Sequence, residues 1–115
     1  RIVDFHAEAT SEKIAFGRYL DGKVALCVGT HTHVQTADER VLPEGTGYIT
    51  DLGMTGPHDS VLGRDYEAVL KRLRTGVPAR FDVAKKDVSL NGVVAAVDVA
   101  SGRATSIERL SLAVE

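Results

Sequence analysis

The sequence predicts an α/β fold built on a mixed sheet. Three observations lead there. Two short apolar runs, Ile2-Val3-Asp4-Phe5 and Val24-Ala25-Leu26-Cys27-Val28, flank a segment of helical periodicity. The second run feeds directly into Gly29-Thr30-His31-Thr32-His33. From Phe81 onward, strand-like stretches alternate with turn dipeptides. A strand, helix, strand opening implies a parallel pair joined by a right-handed crossover. Closely spaced strands and turns imply an antiparallel meander that completes the sheet.

The totals narrow the function classes. A chain of 115 residues forms one domain. Its 43% hydrophobic and 26% charged residues are ordinary for a soluble globular protein. A net charge of -2 offers no basic footprint for nucleic acid or an anionic membrane surface. No apolar run approaches the roughly 20 residues that span a bilayer, so a cytoplasmic protein without membrane contact is expected. The single Cys27 has no internal disulfide partner and reads as a small buried hydrophobe rather than a reactive thiol. The chain opens on Arg1-Ile2-Val3, already in strand pattern and without Met, which reads as the C-terminal part of a longer protein.

The elements follow in order. Residues 1–5 form a strand ending at His6. Thr10 or Ser11 caps a helix whose dipole favours Glu12, with Ile14, Phe16, Tyr19 and Leu20 as its apolar face. Gly22 ends that helix in the left-handed conformation, and a strand over 24–28 follows. Residues 35–60 are rich in Thr, Asp and Gly and hold Pro43 and Pro57, the composition of site-shaping loops, with one short strand at 48–50. A helix over 65–74 presents Tyr66, Val69, Leu70 and Leu73 on one face and stops at Gly76 and Pro78. Strands over 81–84 and 87–90 lead to a hairpin turn at Asn91-Gly92, a strand over 93–99, a turn at Ser101-Gly102 and a last strand over 105–110.

The histidines carry the chemistry. On an extended backbone, His31 and His33 share a face with Cβ atoms on the order of 6.5–7 Å apart. That spacing suits two ions about 3.5–4 Å apart, each taking one imidazole. Gly29 leaves room for an ion or phosphate to approach the backbone. Parallel pairing of the first two strands brings His6 to the same sheet edge, so His6, His31 and His33 are the candidate metal ligands. Imidazoles alone favour Zn, Cu, Ni or Fe. A pair of hard ions needs carboxylates as well, and Asp4, Glu8, Asp51 and Asp59 are available. Each reads equally as a cap, a hydrogen-bond partner of a ligand or a solvated charge. His58 reads as solvated or as lining the site, and Arg40 and Arg64 as phosphate partners or surface cover.

Three segments together closely resemble a known family: Asp4-Phe5-His6-Ala7-Glu8-Ala9-Thr10-Ser11-Glu12-Lys13, then Gly29-Thr30-His31-Thr32-His33-Val34-Gln35-Thr36-Ala37-Asp38, then Gly47-Tyr48-Ile49-Thr50-Asp51-Leu52-Gly53-Met54-Thr55-Gly56-Pro57. The family is the YmdB-like branch of the calcineurin-like metallophosphoesterases, and the likeness runs through essentially the whole chain. It implies a bacterial protein with a four-layer α/β/β/α sandwich around a di-metal centre. Residues 1–115 would be the C-terminal portion of that single domain. The remainder of the same polypeptide would supply an aspartate, a bridging glutamate, asparagines and a proton-donating histidine.

Carried over by position, the resemblance assigns His6 and His31 to the second metal and His33 to the first, with iron, manganese or a mixture as the ions. Asp51 and Asp4 would accept hydrogen bonds from ring nitrogens. The implied reaction is hydrolysis of phosphodiesters such as 2',3'-cyclic nucleotides by a hydroxide held between two ions. Two other readings stay open: a nucleotide-sensing regulatory protein using the same site, and an α/β domain with one structural ion on His6, His31 and His33. Edge strands in the tail make a homo-oligomer an expectation.

Overall fold

A computed structural model describes residues 1–114. The fold is mixed α/β with two sheets. Its elements are β1 (Ile2–His6), α1 (Thr10–Leu20), β2 (Leu26–Thr30), β3 (Arg40–Val41), β4 (Gly47–Ile49), β5 (Gly56–Pro57), α2 (Tyr66–Thr75), β6 (Val88–Val97) and β7 (Ala104–Ala113). The chain divides into two compact units, Arg1–Gly53 with Asn91–Leu110, and Met54–Leu90 with the chain from Ser111 on. Among the described residues, no helix is long and apolar enough to cross a membrane.

The first unit carries the histidine-bearing sheet, in the order β1-β2-β4-β3. As expected, β1 and β2 are parallel, and their register runs from Ile2 opposite Leu26 to His6 opposite Thr30. β4 continues the parallel set beside β2, and β3 closes the edge antiparallel to β4. The buried apolar residues are Ala25, Cys27, Val28, Leu42, Tyr48, Ile49 and Ala104; Phe16, Leu20 and Val24 pack against the cluster of Cys27, Leu42 and Tyr48. The Phe5 and Phe16 rings lie 4.3 Å apart between β1 and α1.

Helix α1 turns a different face inward from the one its apolar residues suggest. Lys13 and Gly17 are its buried residues, with Phe16 and Leu20 half-buried, whereas Tyr19 is 67% exposed. The spacing 13, 16, 17, 20 is one helical stripe. Gly17 permits it, because a Cβ there would lie 2.5 Å from the Tyr48 ring. Neither Thr10 nor Ser11 caps the helix: the N-cap is Ala9, which makes no side-chain cap bond. Gly22 does take the left-handed conformation, at φ 74°.

The Asn91-Gly92 turn is overturned, since β6 runs straight through it from Val88 to Val97. A two-residue Asn-Gly turn needs positive φ at both positions. Here Gly102 takes the positive φ, at 70°. Asp98 holds that later turn by accepting from the Ser101 N–H at 2.9 Å, so two ten-residue strands pair through it. Residues 81–84 form no strand, only an isolated bridge between Arg64 and Val83. In the second unit β5 pairs antiparallel with β6, and α2 is capped by Asp65, ends at Gly76 and buries none of its residues.

Hydrogen-bonded carboxylates, half-buried Asp38 and buried Asp51, organise the loops of the first unit. Asp38 accepts from the Thr50 N–H at 3.1 Å and from the Thr36 hydroxyl at 2.6 Å. Burial pushes its carboxyl up, but the hydrogen bonds from Thr36 and Thr50 outweigh that and hold it below the usual carboxylate value.

These contacts make two predictions. At Gly29 a Cβ would sit 1.7 Å from the Thr50 carbonyl oxygen, a backbone atom. Gly29→Ala should therefore cost at least about 3 kcal/mol, and Gly17→Ala about 1–2 kcal/mol despite its better helix propensity, by denaturant titration. Because Asp38 is depressed in the folded state, its stabilisation is present above the unfolded carboxyl value and is lost as pH falls through the folded one. Unfolding free energies measured from pH 6 to pH 2 should show the gap between wild type and Asp38→Asn closing over that range.

Candidate metal centre

The parallel register of β1 and β2 puts three polar side chains on one exposed edge. Asp4 and His6 alternate with inward-facing Val3 and Phe5, and His6 stands beside Thr30. The Thr30 hydroxyl donates to Asp4 Oδ1 at 2.7 Å. Because that single proton is used, Thr30 Oγ1 can only accept from His6 Nδ1, which is 3.0 Å away. His6 is thereby held as the Nδ1–H tautomer, with the lone pair on Nε2 facing outward.

That lone pair points at a second imidazole. His6 Nε2 and His31 Nδ1 are 3.1 Å apart, and the two rings meet edge to face with centroids 4.9 Å apart. Two bare lone pairs at this distance would repel, so either the His31 Nδ1–H donates to His6 Nε2 or a cation lies between the two nitrogens. The separation also equals that of two nitrogens each about 2.1 Å from one ion at close to a right angle. The donor set therefore fits part of a metal shell. Among the described residues, no three His, Cys, Asp or Glu side chains converge to hold an ion.

The histidines do not continue the strand, so the extended-backbone spacing argued from Gly-x-His-x-His does not apply. β2 ends at Thr30, and the chain then bends with His31 at φ 120° and His33 at φ 66°. Side chains with a Cβ rarely adopt this region, at a cost of about 1–3 kcal/mol each. The reason lies at Asp51. Its Oδ2 accepts the Thr32 N–H at 2.9 Å and its Oδ1 accepts the Gly53 N–H at 2.9 Å. Lys13 Nζ donates to Oδ2 at 2.7 Å, and both side chains are 1% exposed. Burial pushes the Asp51 carboxyl up, but Lys13 and the two backbone N–H groups outweigh it, so the group lies below its usual value and is ionised at neutral pH. Asp51 thus meets the turn through the peptide between the two histidines. Gly29, read as an approach for a ligand, instead makes room for the Thr50 carbonyl and the Lys13 stem.

Other expected residues fall elsewhere. Asp4 meets His6 through the Thr30 hydroxyl. His58 belongs to the second unit, where its N–H donates to the Asp87 carbonyl and its Nδ1 lies 2.9 Å from the Gly56 carbonyl oxygen. Glu8 and Asp59 are exposed. Lys13, Thr30 and Thr32 escape a reading built on residue type, since none is a usual ligand. Thr30 is recoverable from register alone, as the residue opposite His6.

The family model described as YmdB-like protein matches residues 1–110. The chain belongs to the YmdB-like family. Within it, a Bacillus subtilis (strain 168) protein named 2',3'-cyclic-nucleotide 2'-phosphodiesterase is 57% identical over 108 residues, covering 94% of this chain and 41% of that protein. A Mycoplasma pneumoniae protein named putative phosphatase/phosphodiesterase is 46% identical over 112 residues, covering 96% and 40%. A crystal structure titled a novel phosphatase, also from Mycoplasma pneumoniae, superposes with TM-score 0.91 at 45% identity, covering 96% of this chain and 40% of that one. A hypothetical protein from Thermus thermophilus gives 0.90 at 41% identity, covering 97% and 44%. The YmdB-like chain described here spans about two fifths of the length of the curated relatives it matches.

The hydrogen-bond chain makes a metal-free prediction. Nitrogen NMR of the His6 ring should report the Nδ1–H tautomer in wild type and Thr30→Ser, and a mixture in Thr30→Val.

Proposed function

We propose that these residues form part of the active site of a metal-dependent phosphodiesterase. The observation that carries this reading is the His6–His31 pair, 3.1 Å apart, with the ring of His6 fixed by Thr30 and Asp4. In this reading His6 Nε2 and His31 Nδ1 hold one ion and His33 the neighbouring ion, iron or manganese. Two such ions supply a nucleophile from water at neutral pH and neutralise charge on phosphoryl oxygens. The residues of this chain hold and orient: Thr30 keeps His6 in its ligating tautomer, and Asp51 holds the peptide between His31 and His33 in a bend rather than a strand. Asp59, Glu8 and His58 have no assigned role in it.

In this reading the remaining ligands and the proton donor come from sequence outside residues 1–115, a range that spans about two fifths of the length of its relatives. The substrate class follows the name of the Bacillus subtilis relative: 2',3'-cyclic nucleotides. The YmdB-like membership and the phosphatase-like fold support a phosphoesterase in general; the cyclic nucleotide is the finer step.

The test uses the complete gene product, loaded with Mn²⁺ and assayed on a chromogenic phosphodiester and on 2',3'-cyclic AMP. His31→Ala and His6→Ala should each lower bound metal by about one ion per molecule and hydrolysis by at least about 100-fold. Wild-type turnover in either variant would overturn the assignment.

A further inference from the structure

The His31–His33 turn is held by an ion pair that an ordinary core would not contain. Lys13 and Asp51 are each 1% exposed, and their contact is 2.7 Å. A buried ion pair is a poor way to gain stability, because desolvation offsets the attraction, and well-packed apolar residues of similar volume often do as well or better. What apolar residues cannot do is accept two backbone N–H groups. Asp51 accepts those of Thr32 and Gly53, and Lys13 balances the charge that makes it a strong acceptor. Thr32 is the peptide between two histidines whose φ angles, 120° and 66°, are unfavourable for any residue bearing a Cβ.

The pair also joins two parts of the chain that carry ligand candidates. Lys13 lies in the first turn of α1, seven residues after His6, and its backbone N–H closes that turn onto the Ala9 carbonyl at 3.2 Å. Its aliphatic stem lies against Gly29, where an added Cβ would come 3.1 Å from Lys13 Cδ. Asp51 follows β4 and is tied to the loop after His33, where the Thr36 N–H donates to the Asp51 carbonyl at 3.1 Å and the Thr36 hydroxyl accepts the Asp51 N–H at 2.9 Å. Helix α1, the chain after β4 and the peptide between His31 and His33 therefore meet at one buried point.

We infer that the Lys13–Asp51 ion pair is the positioning device that holds the His31-Thr32-His33 turn in its ligand-presenting conformation. The inference rests on the metallophosphoesterase reading above and adds residues that touch neither ion nor substrate.

The test compares Asp51→Asn, Lys13→Met and the apolar pair Lys13→Met/Asp51→Leu in the complete gene product. Leu42→Ala, a core truncation away from the turn, controls for lost stability. Two quantities are read in protein that remains folded by circular dichroism: hydrogen exchange of the Thr32 amide without metal, and Mn²⁺ affinity by chelator competition. Asp51→Asn should raise Thr32 exchange at least about 10-fold and weaken Mn²⁺ binding about 10- to 100-fold, while Leu42→Ala changes neither beyond its global destabilisation. The apolar pair should regain melting temperature relative to Lys13→Met without regaining affinity. If the apolar pair binds Mn²⁺ like wild type and protects Thr32, the ion pair is structural only and the inference is overturned. If wild type binds no Mn²⁺, the metallophosphoesterase reading fails instead, and Thr32 exchange alone decides whether the pair holds the turn.

Discussion

The pairing of β1 with β2 decides where everything else must go. With Ile2 opposite Leu26 and His6 opposite Thr30, the two strands finish level, and their terminal side chains share one face of the sheet. A slip of one residue would turn Asp4 and His6 to the other face and send Val3 and Phe5 outward. The Phe5–Phe16 contact and the proton chain from His6 through Thr30 to Asp4 would both be lost. Apolar packing on one side of β1 and proton placement on the other therefore select the same register.

Around this sheet, order comes from carboxylates as much as from apolar mass. The buried apolar cluster of Cys27, Leu42 and Tyr48 is small. The loops on either side of β3 and β4 are fixed by Asp38 and Asp51, each accepting from backbone and hydroxyl or ammonium donors. Gln35 adds a tie from the loop after His33, its side-chain amide donating to the carbonyls of Gly92 at 2.9 Å and Leu110 at 3.2 Å. Paired polar groups of this kind are rigid when fully satisfied and costly when broken. A site assembled from bent, strained loops needs that property more than it needs volume.

Much of this was legible in the residues. The strand, helix, strand opening, the parallel pair and the meeting of His6 with the second strand's end follow from apolar runs and helical spacing. Three things were not legible, each for a physical reason. Lys13 belongs to the buried stripe of α1, but a lysine is normally solvated unless a partner is known. The turn signal of Asn91-Gly92 lost to the pairing of two ten-residue strands, which local propensity does not see. The bend after Thr30 depends on a carboxylate nineteen residues away, so an extended reading of Gly-x-His-x-His was the natural local answer and the wrong one.

In the proposed centre His6 Nε2 and His31 Nδ1 share one ion, and His33 serves a neighbour. Anomalous diffraction at the manganese edge, on crystals of the complete gene product grown with Mn²⁺, tests this most directly. One peak is expected within bonding distance of both His6 Nε2 and His31 Nδ1, and a second at His33. A peak set that leaves His6 Nε2 bonded to His31 through a proton, with the ions elsewhere, would contradict it.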